Sequence, residues 1–527
     1  MKRVLAVLLV LGIAAFAFAT GTQEAATATG GEFIIGNGAE PESLDPHLVS
    51  GVPEHRILAG LFEGLTIDDP VTAEPIPGVA ESWTVSDDGT VYTFTLREDA
   101  VWSDGVDITA DTFVQSWRRM LDPETAAPYA WFPAMFLENG SAVNAGEMPV
   151  EELGVRAIDE DTLEVSLVGP LPYVLGALTH YSFSPVPIHA IEEFGDEWTL
   201  PENFVGNGPY VLEDWRPQEQ LSIVPSETYW DAEAVSLDRV IYLPIDDNNT
   251  MYNMFINGEM DWATEVPLDQ MDTAKLMDEY HVAPYLGTYY YVVQNEVAPF
   301  DDPRVRKALA MSFDRETLVN QITKAGQIAT TKMVPDMAGY PGIEGNETDV
   351  EMAQQLLADA GYPDGEGFPE FEILYNTSEA HKTIAEYIQQ QWEQNLGVTA
   401  TLVNQEWGTY LATRRAGEFQ VARAGWIGDY QDPNTFLDMF ITGAAMNGGR
   451  YSNSEYDRLI NQAAQMPDGP ERFEVLQQAE EFFITQDQGV IPIYHYVSKN
   501  MIDTTRWGGW HTNTMDYHPV KNIYLKN

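Results

Sequence analysis

Two textures of apolar and polar positions divide the chain near residue 300. Before it, short runs rich in Val, Ile, Phe, Tyr and Thr stand between turn residues and predict strands at 32–36, 91–97, 162–168, 210–215, 220–225 and 239–243. Helical spacing is sparse here. Phe113, Trp117 and Met120 fall on one face behind Thr109, a good capping residue, and predict a helix over 109–121.

From Asp301 onward helical and strand-like segments alternate. Pro303 sits just inside a capped start and predicts a helix to about Lys324, followed by a helix over 351–360 that Gly361 and Pro363 stop. Strands at 371–375, 398–403 and 419–424 interleave with helices at 381–396 and 408–416. A helix over 471–484 and a strand over 490–497 complete the series. Such alternation places crossover helices over a sheet, so this half reads as an α/β lobe. No internal repeat or low-complexity linker is present, and the lobes are expected to be joined by more than one chain crossing.

The N-terminus changes the picture. Lys2 and Arg3 precede an apolar run over 4–18, then small residues to Gly21, the three-part layout of a secretory signal. At about 15 residues the run is shorter than the roughly 20 that a spanning helix needs, so cleavage near Ala19 or Gly21 is expected, with a signal peptide over 1–20. The chain of 527 residues has no cysteine, which excludes disulfides, thiolate metal sites, cysteine nucleophiles and a lipid-attachment cysteine. Export without lipidation points to a periplasm. Asp and Glu number 82 against 27 Lys and Arg, a net charge of −55, which a nucleic acid backbone would repel. Self-repulsion on that scale suits a saline medium, where the Debye length falls to roughly 3 Å at 1 M salt.

No catalytic signature emerges. Gly36-Asn37-Gly38 and Gly206-Asn207-Gly208 are not followed by phosphate-binding helices, and neither a G-x-S-x-G elbow nor an H-E-x-x-H pair occurs. The pairs Asp87-Asp88 and Asp246-Asp247 read as solvated turns, so no metal site is expected. One stretch stands apart, Val421-Ala422-Arg423-Ala424-Gly425-Trp426-Ile427-Gly428-Asp429-Tyr430. Arg423 lies among small apolar residues on a core strand, with Arg414 and Arg415 upstream, and a buried guanidinium requires an anionic partner. That partner is either an internal carboxylate or the end of a guest. In the second case Arg423 and Asp429 face a cavity and meet opposite ends of a zwitterion. Six extended residues span at most about 20 Å, while peptides of three to five residues place their ends roughly 10 to 17 Å apart. Trp407, Trp426 and Tyr430 either wall such a cavity or pack in the core.

These residues lead to a resemblance. Ser43-Leu44-Asp45-Pro46-His47, Leu61-Phe62-Glu63-Gly64-Leu65, Pro77-Gly78-Val79-Ala80-Glu81-Ser82-Trp83, Trp102-Ser103-Asp104-Gly105 and Asp302-Pro303-Arg304-Val305-Arg306-Lys307-Ala308-Leu309 are similar to landmarks of the extracellular solute receptors of ABC importers. Asn404-Gln405-Glu406-Trp407 through Asp429-Tyr430-Gln431-Asp432-Pro433 resembles the periplasmic oligopeptide-binding subgroup. The likeness runs from about Ile34 to the C-terminus. It implies a periplasmic-binding-protein type of α/β fold in which two main lobes are joined by a hinge, with an additional inserted domain. The three domains would be a discontinuous base (31–61, 188–286, 498–527), an insertion (62–187) and an α/β lobe (287–497).

By the same resemblance, Asp429 holds the α-ammonium of a peptide, and Arg423, Arg414 and His381 meet the carboxylate of peptides of different length. Trp407, Trp426, Tyr129, Tyr290 and Tyr496 would line side-chain pockets, and backbone around Val52 and Gly425 would pair with the extended guest. Ser50 and His495 depart from the subgroup's pattern and bear on side-chain preference. The implied function is a monomeric receptor that encloses short peptides between closing lobes and hands them to the transmembrane subunits of an ABC permease, without a cofactor. The competing readings are a receptor for dipeptides or another small oligomer, and an exported peptide hydrolase, which would turn its guest over.

Overall fold

The computed structural model describes residues 30–526; the expected signal peptide over 1–20 lies outside them. An eleven-stranded mixed sheet runs through most of the molecule. From one edge its order is Ala400–Gln405, Phe371–Asn376, Val421–Ile427, Tyr280–Val293, Val490–Ile502, Trp262–Ala263, Glu32–Gly36, Arg239–Leu243, Gln220–Pro225 and Tyr210–Arg216, with Ile328–Ala329 pairing beside Val490–Ile502. A separate antiparallel sheet of four strands joins Ala80–Val85, Val91–Leu96, Thr162–Ser166 and Val155–Ala157.

The C-terminal alternation folds as crossover units. Phe371–Asn376 is parallel to both Ala400–Gln405 and Val421–Ile427. Between them run the helices Glu379–Leu396 and Trp407–Ala416, each ended by a glycine at positive φ, Gly397 and Gly417. Ile384, Ile388 and Trp392 turn the apolar stripe of the longer helix onto the sheet, where Trp392 packs near Phe371 and Tyr291. The helix Ala110–Leu121 begins at a capping box formed by Thr109 and Thr112, and buries Phe113, Trp117 and Met120.

Several expectations shift. The helix expected to reach Lys324 is Pro303–Met311 and then breaks, because Asp314 caps a new turn through Thr317 N–H at 3.0 Å. A π-type turn, Leu318–Thr323, ends that segment. The helix expected over 471–484 is Pro470–Glu480 and likewise passes into a wider turn, Glu481–Gln486. The strands expected at 398–403 and 419–424 are Ala400–Gln405 and Val421–Ile427.

Sequence patterning missed the longest strand, Tyr280–Val293. Pro284 and Gly287 inside it mimic turn signals, and its second half is buried on both faces, which erases alternation. It pairs antiparallel with Val490–Ile502, and the register breaks between Pro284 and Thr288 and between Tyr289 and Tyr290. These two strands carry the sheet from its C-terminal half to its N-terminal half, a double chain crossing.

Candidate functional site

The chamber lies where the helix Val52–Leu61, the segment from Tyr129 to Tyr181, the strand Val421–Ile427 and the stretch Met515–His518 approach one another. Its volume is about 200 Å³. At roughly 30 Å³ per water in the liquid that is room for on the order of seven waters, the scale of a small molecule.

Its strand wall has an open edge. Val421–Ile427 pairs along its whole length with Gly287–Val293 on one side. On the other side only Val421 and Ala422 are paired, with Ile373 and Leu374, so main-chain groups beyond them have no strand partner. Gly425 through Asp429 line the chamber along this edge. A side chain at Gly425 would collide with the hydroxyl of Tyr496, which explains glycine there.

Asp429 follows directly on this strand. Its side chain is 10% exposed, the Tyr129 hydroxyl lies 3.4 and 3.3 Å from its two carboxylate oxygens, and His180 Nε2 lies 3.6 Å from one. No Lys or Arg pairs with it among the described residues. Burial, with the nearby Asp438 carboxylate, pushes its pKa well above the usual aspartate range. Burial holds His180 well below the usual histidine range, so the ring is neutral. Ser182 N–H donates to its Nδ1 at 3.3 Å, which puts the ring proton on Nε2, the atom facing Asp429.

The loop after Asp429 is held rigidly. Asp429 N–H donates to Thr435 Oγ1 at 3.0 Å and Gly428 N–H to the Leu286 carbonyl at 2.8 Å. Three residues on, Asp432 receives both terminal nitrogens of the fully buried Arg472 at 2.7 Å and caps Asn434 N–H at 2.9 Å.

Arg414, near the end of Trp407–Ala416, lines the chamber with its guanidinium 5.6 Å from the Tyr410 ring; its Nε is buried without a partner, and no carboxylate pairs with it among the described residues. Trp407 stacks on Tyr410 at 5.9 Å, and Trp426 lies parallel to Tyr129 at 6.4 Å; all three of Trp407, Trp426 and Tyr129 line the chamber. Val52 opens its helix at the chamber wall with an exposed side chain.

Four expected residues do not line it. Arg423 donates to the Tyr496 hydroxyl at 2.8 Å and to Asn376 Oδ1 at 3.2 Å, and sits 4.9 Å from the Tyr289 ring, with no carboxylate partner among the described residues. Tyr496 and His381 belong to this adjoining cluster, His381 lying 5.6 Å from Tyr289 and held far below its usual pKa by burial and Arg423. Tyr290 packs in the core against Phe440.

The chamber also gathers residues that pattern alone did not single out: His55, Arg56, Asp68, His180, Tyr181 and Asp516. Arg56 was the most findable of these, as a rare cation. It donates to the carbonyl and Oδ1 of Asn37 at 3.2 and 3.0 Å and pairs with no carboxylate among the described residues. Arg415, also in the lining, reaches Glu42 at 2.7 Å, joining the C-terminal half to the N-terminal segment.

The model of the bacterial extracellular solute-binding proteins, family 5, matches residues 74–448. The chain belongs to this family. Among family relatives, the periplasmic oligopeptide-binding protein OppA of Salmonella typhimurium is 40% identical over 509 residues, covering 94% of this chain and 91% of that one. The structure matches Haemophilus influenzae OppA in complex with the peptide RPPGFSPFR at a TM-score of 0.91 and 34% identity, covering 94% of this chain and 99% of that chain. Against the Escherichia coli murein tripeptide-binding protein MppA the TM-score is 0.90 at 34% identity, covering 95% and 100% of the two chains. Against the unliganded open form of MppA it falls to 0.65, at the same identity and covering 95% and 98%. The arrangement of this solute-binding protein is therefore unlike that open form.

Proposed function

We propose that this chain is a periplasmic receptor that binds short peptides in extended form between two closing lobes and delivers them to an ABC permease. The observation that carries the reading is the carboxylate of Asp429, nine-tenths buried and with no cationic partner among the described residues, at the end of a strand whose outer edge is open to the chamber. A peptide's α-ammonium supplies the missing charge. Its main chain completes hydrogen bonds along Gly425 to Ile427 and near Val52, which is indifferent to side chains.

Arg414 takes the carboxylate of the guest, with Arg423 and His381 in the adjoining cluster reserved for guests of other lengths. Trp407, Trp426 and Tyr129 wall the side chains; Tyr496 orients Arg423, and Tyr290 supports the floor. The hinge is the register break around Pro284–Thr288 and the facing Tyr496–Val497, which supports boundaries at 286/287 and 497/498 between base (31–61, 188–286, 498–527) and lobe (287–497), with 62–187 as the insertion. Closure gives the permease a form to distinguish from the empty one. The molecule acts as a monomer, is exported by its signal peptide and performs no chemistry on its guest.

Native mass spectrometry of the purified protein, followed by calorimetry with a mixed tripeptide pool, tests this. The expected result is retained or added peptide masses, with the peptides recovered intact. Failure to bind any peptide of two to five residues overturns the receptor reading, and cleaved peptides would favour the hydrolase.

A further inference from the structure

A second cavity of about 300 Å³ adjoins the chamber. The two share His55, Ala59, Asp68, Thr179, Tyr181 and Tyr517 as lining, so these residues form the partition between them. Thr179 directly precedes His180, the neighbour of Asp429, which puts the partition beside the anchor for the guest's amino end.

The second cavity has apolar walls, including Leu58, Phe62, Ile67, Ile76 and Pro77, and a charged lining in which three carboxylates, Glu63, Asp68 and Asp231, face one ammonium, Lys521. Two of the three are already satisfied. Glu63 accepts the indole N–H of Trp230 at 2.7 Å and the hydroxyl of Tyr229, and Asp231 pairs with Lys521 at 2.8 Å. Asp68 has no Lys, Arg or His within ion-pair distance among the described residues. Near it stand the Thr179 hydroxyl, the Glu74 carboxylate and the Tyr517 phenol, and the partition they share also holds Tyr181 and His55, whose pKa burial lowers to about 4. Burial raises Asp68 itself to about 7, as befits a carboxylate without a counter-charge.

A carboxylate without a counter-charge, set in the partition at the far side of the chamber wall, suits the terminal cation of a long alkyl stem reaching it from the chamber. We propose that Asp68 is a specificity-determining residue that selects a lysine or arginine side chain at the first or second position of the bound peptide, the stem crossing the chamber so that its terminal cation stops against Asp68 at the partition. This rests on the peptide-receptor reading and adds the side-chain class that the site prefers.

The test is calorimetry at pH 8 with Ala-Ala-Ala and with tripeptides carrying lysine or its neutral isostere norleucine at each position in turn, on the wild type and on Asp68→Asn and Asp68→Glu. The expected result is a lysine preference of about tenfold or more over norleucine at position one or two only. Asp68→Asn should abolish that preference while Ala-Ala-Ala binds within about twofold of wild type, and Asp68→Glu should restore part of it. Ala-Ala-Ala bound by the wild type without a lysine preference, or an undiminished preference in Asp68→Asn, overturns the inference alone. Equal loss of all peptides in Asp68→Asn also overturns it, since Asp68 would then serve the chamber's structure. A wild type that binds no peptide overturns the receptor reading and this inference with it.

Discussion

The hydroxyl of Tyr129 lies 3.4 and 3.3 Å from the two carboxylate oxygens of Asp429, although 300 residues separate them in the chain. Tyr129 sits among the helices beside the small sheet, and Asp429 lies just past the end of a strand of the large one, so the contact joins the two parts at the chamber wall. It holds Asp429 ready without neutralising it. Asp429→Ala should cost about 3 to 5 kcal/mol of peptide binding, two to four decades in Kd, because a buried ammonium is left unpaired. Tyr129→Phe should cost only about 1 kcal/mol, near fivefold. Calorimetry separates the two, and equal effects would remove Asp429 from the anchor role. N-acetylated peptides should bind as poorly to wild type as free peptides bind to Asp429→Ala.

Arg414 gives a parallel prediction at the other end. For the peptide length it serves, wild type should prefer a free C-terminus over its amide by at least about tenfold, and Arg414→Gln should erase the difference by weakening only the acid. Competition between tripeptide acids and amides reads this directly. A preference that survives in the variant assigns the carboxylate to another cation, with Arg423 and Arg56 next to be tested.

The buried pair Asp432–Arg472 should govern stability and the geometry of the loop carrying Asp429. Arg472→Met strands a buried carboxylate and should lower unfolding free energy by about 3 to 5 kcal/mol, while Arg472→Met with Asp432→Leu should recover much of it. Urea unfolding measures both. The double variant should still bind peptides more weakly than wild type, since Asp432 also caps Asn434.

Stability should fall as pH rises from 6.5 to 8. Burial lifts Glu54, Asp68 and Glu480 to about 7 and Asp438 to about 8, so each takes up a proton more readily when folded than when unfolded. Their stabilising contribution is complete below the ordinary carboxylate range and is lost as pH climbs through these values. Buried histidines act in the opposite sense lower down. His47 and His55, held at about 4, and His495, at about 3, contribute stability above pH 6.5 that is lost as pH falls through their folded values. Between the ordinary carboxylate range and pH 6.5 the two sets oppose each other, so thermal melts should fall above pH 6.5, where only the carboxylate effect remains, and a midpoint still rising to pH 8 would contradict the carboxylate shifts.

The net charge of −55 predicts a salt response as well. Screening of surface carboxylates should raise the thermal midpoint between low and molar salt, with an inert salt used to exclude specific ion binding. A flat profile would rule out adaptation to a saline medium.

Elements with a self-contained signal were legible in the chain. Glu32–Gly36, Gln220–Pro225 and Arg239–Leu243 stand where alternation and flanking turns put them, and Ala110–Leu121 follows its capping box. The helix Val52–Leu61 was not legible, because it buries Glu54 among its apolar positions and so blurs its own stripe. The segment around Asp429 was visible for the same reason that it is costly: a lone guanidinium and a carboxylate on a glycine-bearing core strand conflict with local apolar patterning.

The sequence by itself determined the family, the alternation of the C-terminal half and the residue types able to hold opposite charges. Only the tertiary structure decided which of them share a chamber. Arg414 and Asp429 line it, whereas Arg423 turns to Tyr496 and Asn376, and Asp68, His180 and Arg56 arrive from segments hundreds of residues away. Patterning records which face of an element is buried, a local property set by the periods of helix and strand. Whether a buried charge meets an internal partner or open space depends on long-range packing, which no local period encodes.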